Sequence, residues 1–266
     1  MTFSAQWLAL REPYDRRARS ADVLDRVAAA FAGRPAIAVV DLGCGTGSTV
    51  RAVGPHLPTR QRWRLADNDL GLLAHASALA RPPELLIEAR TIDLVRDLEL
   101  ALDGALDLIT TSALLDLVSP DWLERLVVEA AARRLPVYAA LTYQGQAALD
   151  PAEPFDLEMV AAVNRHQRRD KGFGPALGPE AGLSAVRAFE RVGYAVVTGA
   201  SDWDFAPDDR DIQLEVLAGW AGAAGELGEL PQAAIDGWLA RRRDLVASGR
   251  SRMRVGHVDF FATATR

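Results

Sequence analysis

The strongest chemical signal in the chain is an acid two places before a glycine-rich turn, Asp41-Leu42-Gly43-Cys44-Gly45-Thr46-Gly47. It closes AIAVVDLG (36–43), a continuous apolar run of buried-strand type, and opens a helical stretch over about 47–56. A ligand at such a junction meets free backbone N–H groups and the positive end of a helix dipole. Glycines let the chain turn tightly and let a ligand approach within contact distance. The spacing is G-x-G-x-G. The dinucleotide fingerprint G-x-G-x-x-G fails, because Ser48 stands at its last position.

Two more acids stand at the ends of the next strand-like runs. Asp67 closes WRLAD (63–67), where a carboxylate can accept hydrogen bonds from both hydroxyls of a ribose. Asp67, Asn68 and Asp69 also suit the N-cap of the helix expected over 69–81. Asp93, in Thr91-Ile92-Asp93-Leu94, can meet an exocyclic adenine amine or be a solvated loop acid. A basic cluster occupies Arg165, His166, Arg168, Arg169 and Lys171, followed by Gly172-Phe173-Gly174-Pro175, a pattern suited to a hinge or loop tip. These side chains can recognise a carboxylate or phosphate, or simply complement the end of a helix.

The elements that must hold these residues follow from periodicity. Residues 5–32 are helical in pattern, and Pro13 divides them into two expected short helices. Strands are expected at 36–43, 63–67, 85–93, 105–116, 135–143, 194–201 and 256–266, with helices between the first five. Ser119-Pro120 supplies an N-cap and first-turn proline for a helix over about 120–134. Alternating strands and helices imply right-handed crossovers and a parallel, doubly wound α/β sheet. The rhythm breaks at 144–180, which reads as a helix flanked by Pro- and Gly-rich loops laid over the rim. Residues 208–247 are again mainly helical.

Composition narrows the chemistry. The 266 residues carry a net charge of −6 and are 49% hydrophobic, with one cysteine, Cys44, and one lysine, Lys171, among 30 Lys and Arg. One cysteine cannot close an intrachain disulfide or supply a multi-cysteine metal site. Asp170 precedes Lys171, so there is no P-loop, and Gln167 stands where a Tyr-x-x-x-Lys pair needs tyrosine. The Arg bias fits a GC-rich bacterial genome. No apolar run is long enough for a membrane span, the N-terminus is charged too early for a secretory signal, and a cytoplasmic protein is expected. The acidic balance argues against nucleic acid as a partner. Oligomeric state is not legible.

VVDLGCGTG, then LAD, then IDL, taken together, resemble class I S-adenosylmethionine-dependent methyltransferases over roughly residues 36–143. The resemblance implies one Rossmann-like domain over 1–266, with a seven-stranded, mostly parallel sheet, an antiparallel last strand and helices on both faces. Its parts would be a helical cover (1–35), a cofactor core (36–143), a lid insertion (144–180) and a C-terminal part (181–266). It implies S-adenosylmethionine as cofactor. Asp41 with Gly43, Cys44, Gly45, Thr46 and Gly47 would surround the methionine part, and Asp67 with Asn68 the ribose. Asp93 and Leu94 would border the adenine, and Thr111, Ser112 and Ala113 would sit near the sulfonium. From the helical cover, Trp7, Arg11, Tyr14 and Arg19 are candidates, with Arg19 a carboxylate partner.

The expected acceptor is a small molecule, possible anionic contacts coming from Arg165, Arg168 and Arg169. His166 is the first candidate base, because its unperturbed pKa lies near neutrality. Tyr143 and Asp116 are rim alternatives, and Trp203, in SDWDF, can line an acceptor pocket or cover the sheet. His257 reads as structural. Three other functions are compatible with parts of the pattern: RNA methylation through 165–171, cofactor binding without catalysis, and nicotinamide-dependent redox chemistry. The missing dinucleotide fingerprint argues against the last.

Overall fold

In the computed structural model, which describes residues 3–78 and 82–265, the apolar run after Pro35 forms the first strand, β1 (Ala36–Leu42). Its side chains alternate between two cores. Ile37 and Val39 face one, and Val40 and Leu42 the other. Parallel partners flank β1 on both sides: β2 (Arg60–Asp67) and, beyond it, β3 (Leu85–Thr91); then β4 (Leu108–Ser112) and β5 (Val137–Asp150). The order continues through β8 (Arg252–Ala264) to β6 (Tyr194–Ala200), giving β3-β2-β1-β4-β5-β8-β6. The last strand, β8, is antiparallel to β5 and β6. An eighth strand, β7 (Trp203–Phe205), pairs with the start of β8 and adds to the seven expected.

Helices cover both faces. The core on one face takes its side chains from α2 (Ala21–Phe31), α3 (Ser48–Val53) and α4 (Leu70–Ser77). On the other lie α5 (Leu98–Ala101), α6 (Pro120–Ala132) and α8 (Ala181–Arg191). Ser119 caps α6 as its sequence implies, accepting from Trp122 N–H at 3.2 Å. The expected end of the α4 helix, 79–81, lies outside the described residues, as does Arg266, the last residue of the strand expected at 256–266.

Two expectations change. Pro13 does not divide the first helix: α1 (Ala5–Ala18) runs through it. The break falls at Arg19-Ser20, where Ser20 donates its N–H to the buried Asp259 carboxylate and caps α2 through its side chain. Residues 144–150 are not loop but the outer half of β5. Ala147–Asp150 pair with Arg252–Val255 of β8, after two register shifts, between Ala139 and Thr142 and between Tyr143 and Ala147, that bend the ribbon past the sheet's rim.

That ribbon carries a third core with α7 (Asp156–Gln167), α9 (Arg210–Leu227), α10 (Gln232–Ala247), β7 and the apolar face of α1. Its buried clamp is Asp156, which accepts from Trp238 Nε1 at 2.8 Å and Arg242 Nε at 3.1 Å. The guanidinium of Arg242 is fully buried, and its Nη1 donates to Pro151 O at 2.8 Å. No described helix is long and apolar enough to cross a membrane.

Candidate active site

The carboxyl ends of β1, β2, β3 and β4 open onto a cavity of about 460 Å³. Gly43–Thr46, Asp67–Asp69, Ile92–Arg96 and Ser112–Leu114 wall it, and Phe3, Leu8, Arg11 and Asp15 cover it from the N-terminal segment. The glycine loop is locked from within. Gly43 and Cys44 donate to Ala66 O at 2.9 and 3.2 Å, Gly47 donates to Cys44 O, and Gly45 donates to Asp67 Oδ2 at 2.9 Å. With these N–H groups committed, the loop is a shaped wall, and the N–H groups of Gly43, Cys44, Gly45 and Gly47 are not the free donors expected at this junction. Gly45 has φ +53°, and a Cβ there would lie 3.1 Å from Leu8 Cδ1.

Asp67 accepts Asp69 N–H on Oδ1 at 3.0 Å as well as the Gly45 bond on Oδ2, so each oxygen has one backbone donor. A carboxylate oxygen has a second lone pair, and Asp67 lines the cavity. The helix cap is Asp69, whose Oδ1 accepts from Gly71 and Leu72 N–H, so the cap reading does not compete for Asp67. Asn68, Asp93 and Leu94 also line the wall. Asp93 Oδ1 holds Val95 N–H at 3.0 Å, and Leu94 O is fixed by Trp122 Nε1 at 2.7 Å.

Behind the loop lies a second layer. Asp41 is buried away from the cavity wall; its Oδ1 accepts from Thr110 Oγ1 at 2.9 Å and its Oδ2 has no partner among the described residues. Burial pushes its pKa up to about 7, against hydrogen bonds from Thr110 and Thr49 and the charge of Arg19. Arg19 is also buried behind the wall. It donates to Ser112 Oγ at 3.1 Å and Tyr138 Oη at 3.3 Å, while its Nε has no partner among the described residues. Asp259 anchors this layer, accepting from Tyr138 Oη, Leu141 N and Ser20 N. Thr111 faces inward and donates to Leu42 O at 2.9 Å, whereas Ser112 and Ala113 line the cavity. Tyr14 lies elsewhere, edge-on to Phe205 with ring centroids 5.2 Å apart. Cys44 is buried in the wall, and burial raises its thiol pKa far from reactivity.

A second cavity of about 400 Å³ adjoins the first, sharing Phe3, Arg11, Ala113 and Leu117 as walls. Trp7, Tyr143, Trp203 and Trp220 give it aromatic faces, and Arg11, Asp116, His166, Gln167, Glu215 and His257 its polar groups. Two of its wall residues, Ala113 (φ 51°) and Leu141 (φ 56°), hold left-handed backbone without being glycine. Each costs about 1–2 kcal/mol and is held by surrounding structure: Ala113 N–H by Ala140 O, Leu141 N–H by Asp259.

The candidate bases differ in what their atoms are free to do. His166 has both nitrogens engaged. Lys171 Nζ, an ammonium donor, lies 3.1 Å from Nδ1, so Nε2 carries the proton shared with Glu226 Oε2 at 2.9 Å. Tyr143 donates its hydroxyl to Asn164 Oδ1 at 2.8 Å, and burial pushes its pKa up. Asp116 is 6% exposed; its carboxylate takes backbone hydrogen bonds from its own residue and Tyr143, while Oδ1 has no partner among the described residues. Burial raises its pKa to about 6, with Arg11 and Lys171 opposing.

The arginines of 165–169 line neither cavity. Arg165 pairs with Glu229 at 2.6 Å, Arg168 with Glu180 at 2.8 Å, and Arg169 donates to Glu226 O. The helix places them outside because its apolar residues Met159, Ala162 and Val163 take the buried side. Lys171 goes the other way, buried and lining the first cavity. His257, read as structural, is in the second cavity. Its Nδ1 donates to Val255 O at 2.9 Å, which leaves Nε2 as a lone-pair acceptor; burial and Arg11 lower its pKa to about 3. The wall residue Trp220 was missed as well. Both come from elements distant in sequence, and only the β5–β8 ribbon brings them to the rim.

No protein-family model matches the chain, and no curated protein matches it in sequence. Solved structures do match in fold. A cyclopropane-fatty-acyl-phospholipid synthase-like protein from Lactobacillus casei superposes with a TM-score of 0.53 at 14% identity, covering 95% of this chain and 98% of that one. The YcgJ protein from Bacillus subtilis gives 0.50 at 14% identity, covering 93% and 100%. The mycolic acid cyclopropane synthase CmaA1, solved with SAH and CTAB, gives 0.49 at 11% identity, covering 90% and 82%. With its strand order, antiparallel last strand and glycine loop after β1, the chain has the Rossmann-like fold of class I S-adenosylmethionine-dependent methyltransferases.

Proposed function

We propose that this protein transfers a methyl group from S-adenosylmethionine to a small-molecule acceptor. The observation that carries the reading is the junction of the two cavities. One is walled by the glycine loop, Asp67 and Asp93; the other is aromatic; and both share Ala113 and Arg11. Donor and acceptor can therefore meet at one wall.

The residues present fit the donor. Asp67 offers remaining lone pairs to the ribose hydroxyls, and Asp93 with Ile92, Leu94 and Val95 frames a site for the adenine. Asp41 and Arg19 line neither cavity; they act from the layer behind the wall, Arg19 by holding the lining residue Ser112, and leave an acid and a guanidinium behind the methionine end of the site. The internally bonded loop leaves little to bind a pyrophosphate, which disfavours a dinucleotide. When bound, S-adenosylmethionine supplies a methyl group already activated on a sulfonium. The protein then has to align the acceptor and exclude water.

Asp116 is the assigned proton acceptor, with an unpartnered oxygen in the acceptor cavity and a pKa near working pH. His166 and Tyr143 support walls instead. The arginines of 165–169 hold partners of the protein's own, so they do not carry the anionic acceptor or RNA readings. Incubation of purified protein with radiolabelled S-adenosylmethionine and fractionated small metabolites tests the proposal. Labelled product dependent on Asp116 supports it; label appearing only in RNA sinks the small-acceptor reading.

A further inference from the structure

Resting on that reading of the two cavities, we propose that the acceptor is a basic amine on a flat apolar body, its nitrogen held by Asp116.

Asp116 and His257 present lone pairs to the chamber, beside the indole N–H groups of Trp7 and Trp220 and the amide of Gln167. Asp116 Oδ1 is buried and unpartnered, and His257 Nε2 is an acceptor because Nδ1 serves Val255 O. The hydroxyl of Tyr143 and both nitrogens of His166 are committed to Asn164, Lys171 and Glu226. A ligand that satisfies Asp116 and His257 must bring N–H or O–H groups.

Charge decides between them. Glu215 stands on the wall as a second acid. The one guanidinium there, Arg11, is already neutralised, its Nε 2.8 Å and its Nη2 3.3 Å from the two oxygens of Asp15. Trp203 Nε1 locks the same Asp15 at 2.9 Å. With Arg11 and Asp15 cancelling, and with Lys171, the other cation acting on Asp116, also facing Glu226, Asp116 and Glu215 leave the chamber acidic. The faces of Trp7, Tyr143, Trp203 and Trp220 also attract a cation through their ring quadrupoles. An acidic chamber with aromatic walls selects an ammonium over a carboxylate.

The chemistry balances. The bound ammonium gives one proton, by way of Asp116, to solvent. The neutral nitrogen then attacks the methyl carbon. An N–C bond forms as the C–S bond breaks, and the sulfur keeps that electron pair as a neutral thioether. The product leaves as an N-methylammonium ion.

The test uses 2-phenylethylamine and 3-phenylpropanoate, matched in size and opposite in charge, titrated calorimetrically into the full chain with and without S-adenosylhomocysteine. The amine should bind at least tenfold more tightly. Asp116→Asn should reduce that preference about tenfold while leaving S-adenosylhomocysteine affinity and cooperative melting unchanged. Trp220→Leu should weaken both probes and keep their ratio. Equal or tighter binding of the carboxylate, no binding of either probe, or an unchanged preference in Asp116→Asn overturns the proposal. If the amine preference stands but S-adenosylhomocysteine does not bind, the methyl-donor reading fails and the chamber assignment survives.

Discussion

Each oxygen of Asp67 accepts one backbone N–H, from Gly45 or Asp69, and both face the cavity with capacity left. Asp67→Ala should therefore lower S-adenosylhomocysteine affinity tenfold or more, about 1.4 kcal/mol, by calorimetry. Unchanged affinity removes the ribose assignment. Asp41 gives a prediction of opposite kind. Its folded pKa, about 7, is above the unfolded value of 3.8, so the native state holds the extra proton between them. The contribution of Asp41 to the stability of the ligand-free protein therefore falls as pH rises from about 4 to 7. Asp41→Asn removes that loss, so its melting temperature should exceed wild type at pH 8 and the gain should shrink at pH 4, while cofactor affinity falls. A gain independent of pH would show that Asp41 is not buried as a strained acid. The residues that sequence made legible share a property: Asp41, Gly43–Gly47, Asp67 and Asp93 act where a strand ends, so their position follows from local pattern. His257 and Asp116 acquire their free lone pairs from contacts with Val255 and Tyr143, which local pattern does not encode.

At the scale of elements, the β5–β8 ribbon does what the sequence assigned to a loop. Alternation is hard to see in YQGQAALD, with a glycine and two glutamines, yet its pairing with β8 carries the third core. The α7 helix docks on that core through the Asp156–Arg242–Trp238 clamp. Asp156→Ala strands a buried guanidinium, so it should destabilise by about 3–5 kcal/mol in urea melts, and Asp156→Ala with Arg242→Met by clearly less. Equal losses in the two proteins would deny the clamp its charge. The helix itself was legible, but its outward arginines were not separable from ligand-facing ones. That depended on Glu180, Glu226 and Glu229, which come from the 3₁₀ turn before α8, from α9 and from the segment after α9. Gly45→Ala tests the loop: a left-handed φ and Leu8 at 3.1 Å predict weakened cofactor binding, with the fold retained in circular dichroism. Full affinity would mean that the loop gives way without consequence.

For the whole molecule, the α/β alternation and the parallel sheet it implies were readable because buried parallel strands are written as apolar runs. The joining of two cavities was not, since it needs α1, the ribbon and α9 in place together. A ligand bound across that junction stabilises the folded state. At a hundred times its Kd it contributes about 2.7 kcal/mol, or about 5–10 °C in Tm for a chain of this size. The most direct test of the central claim is calorimetric titration of the purified protein with S-adenosylmethionine, S-adenosylhomocysteine and NADH. The account predicts saturable binding of the first two, weakened tenfold or more in Asp67→Ala, and none of NADH. Binding of NADH alone would contradict it.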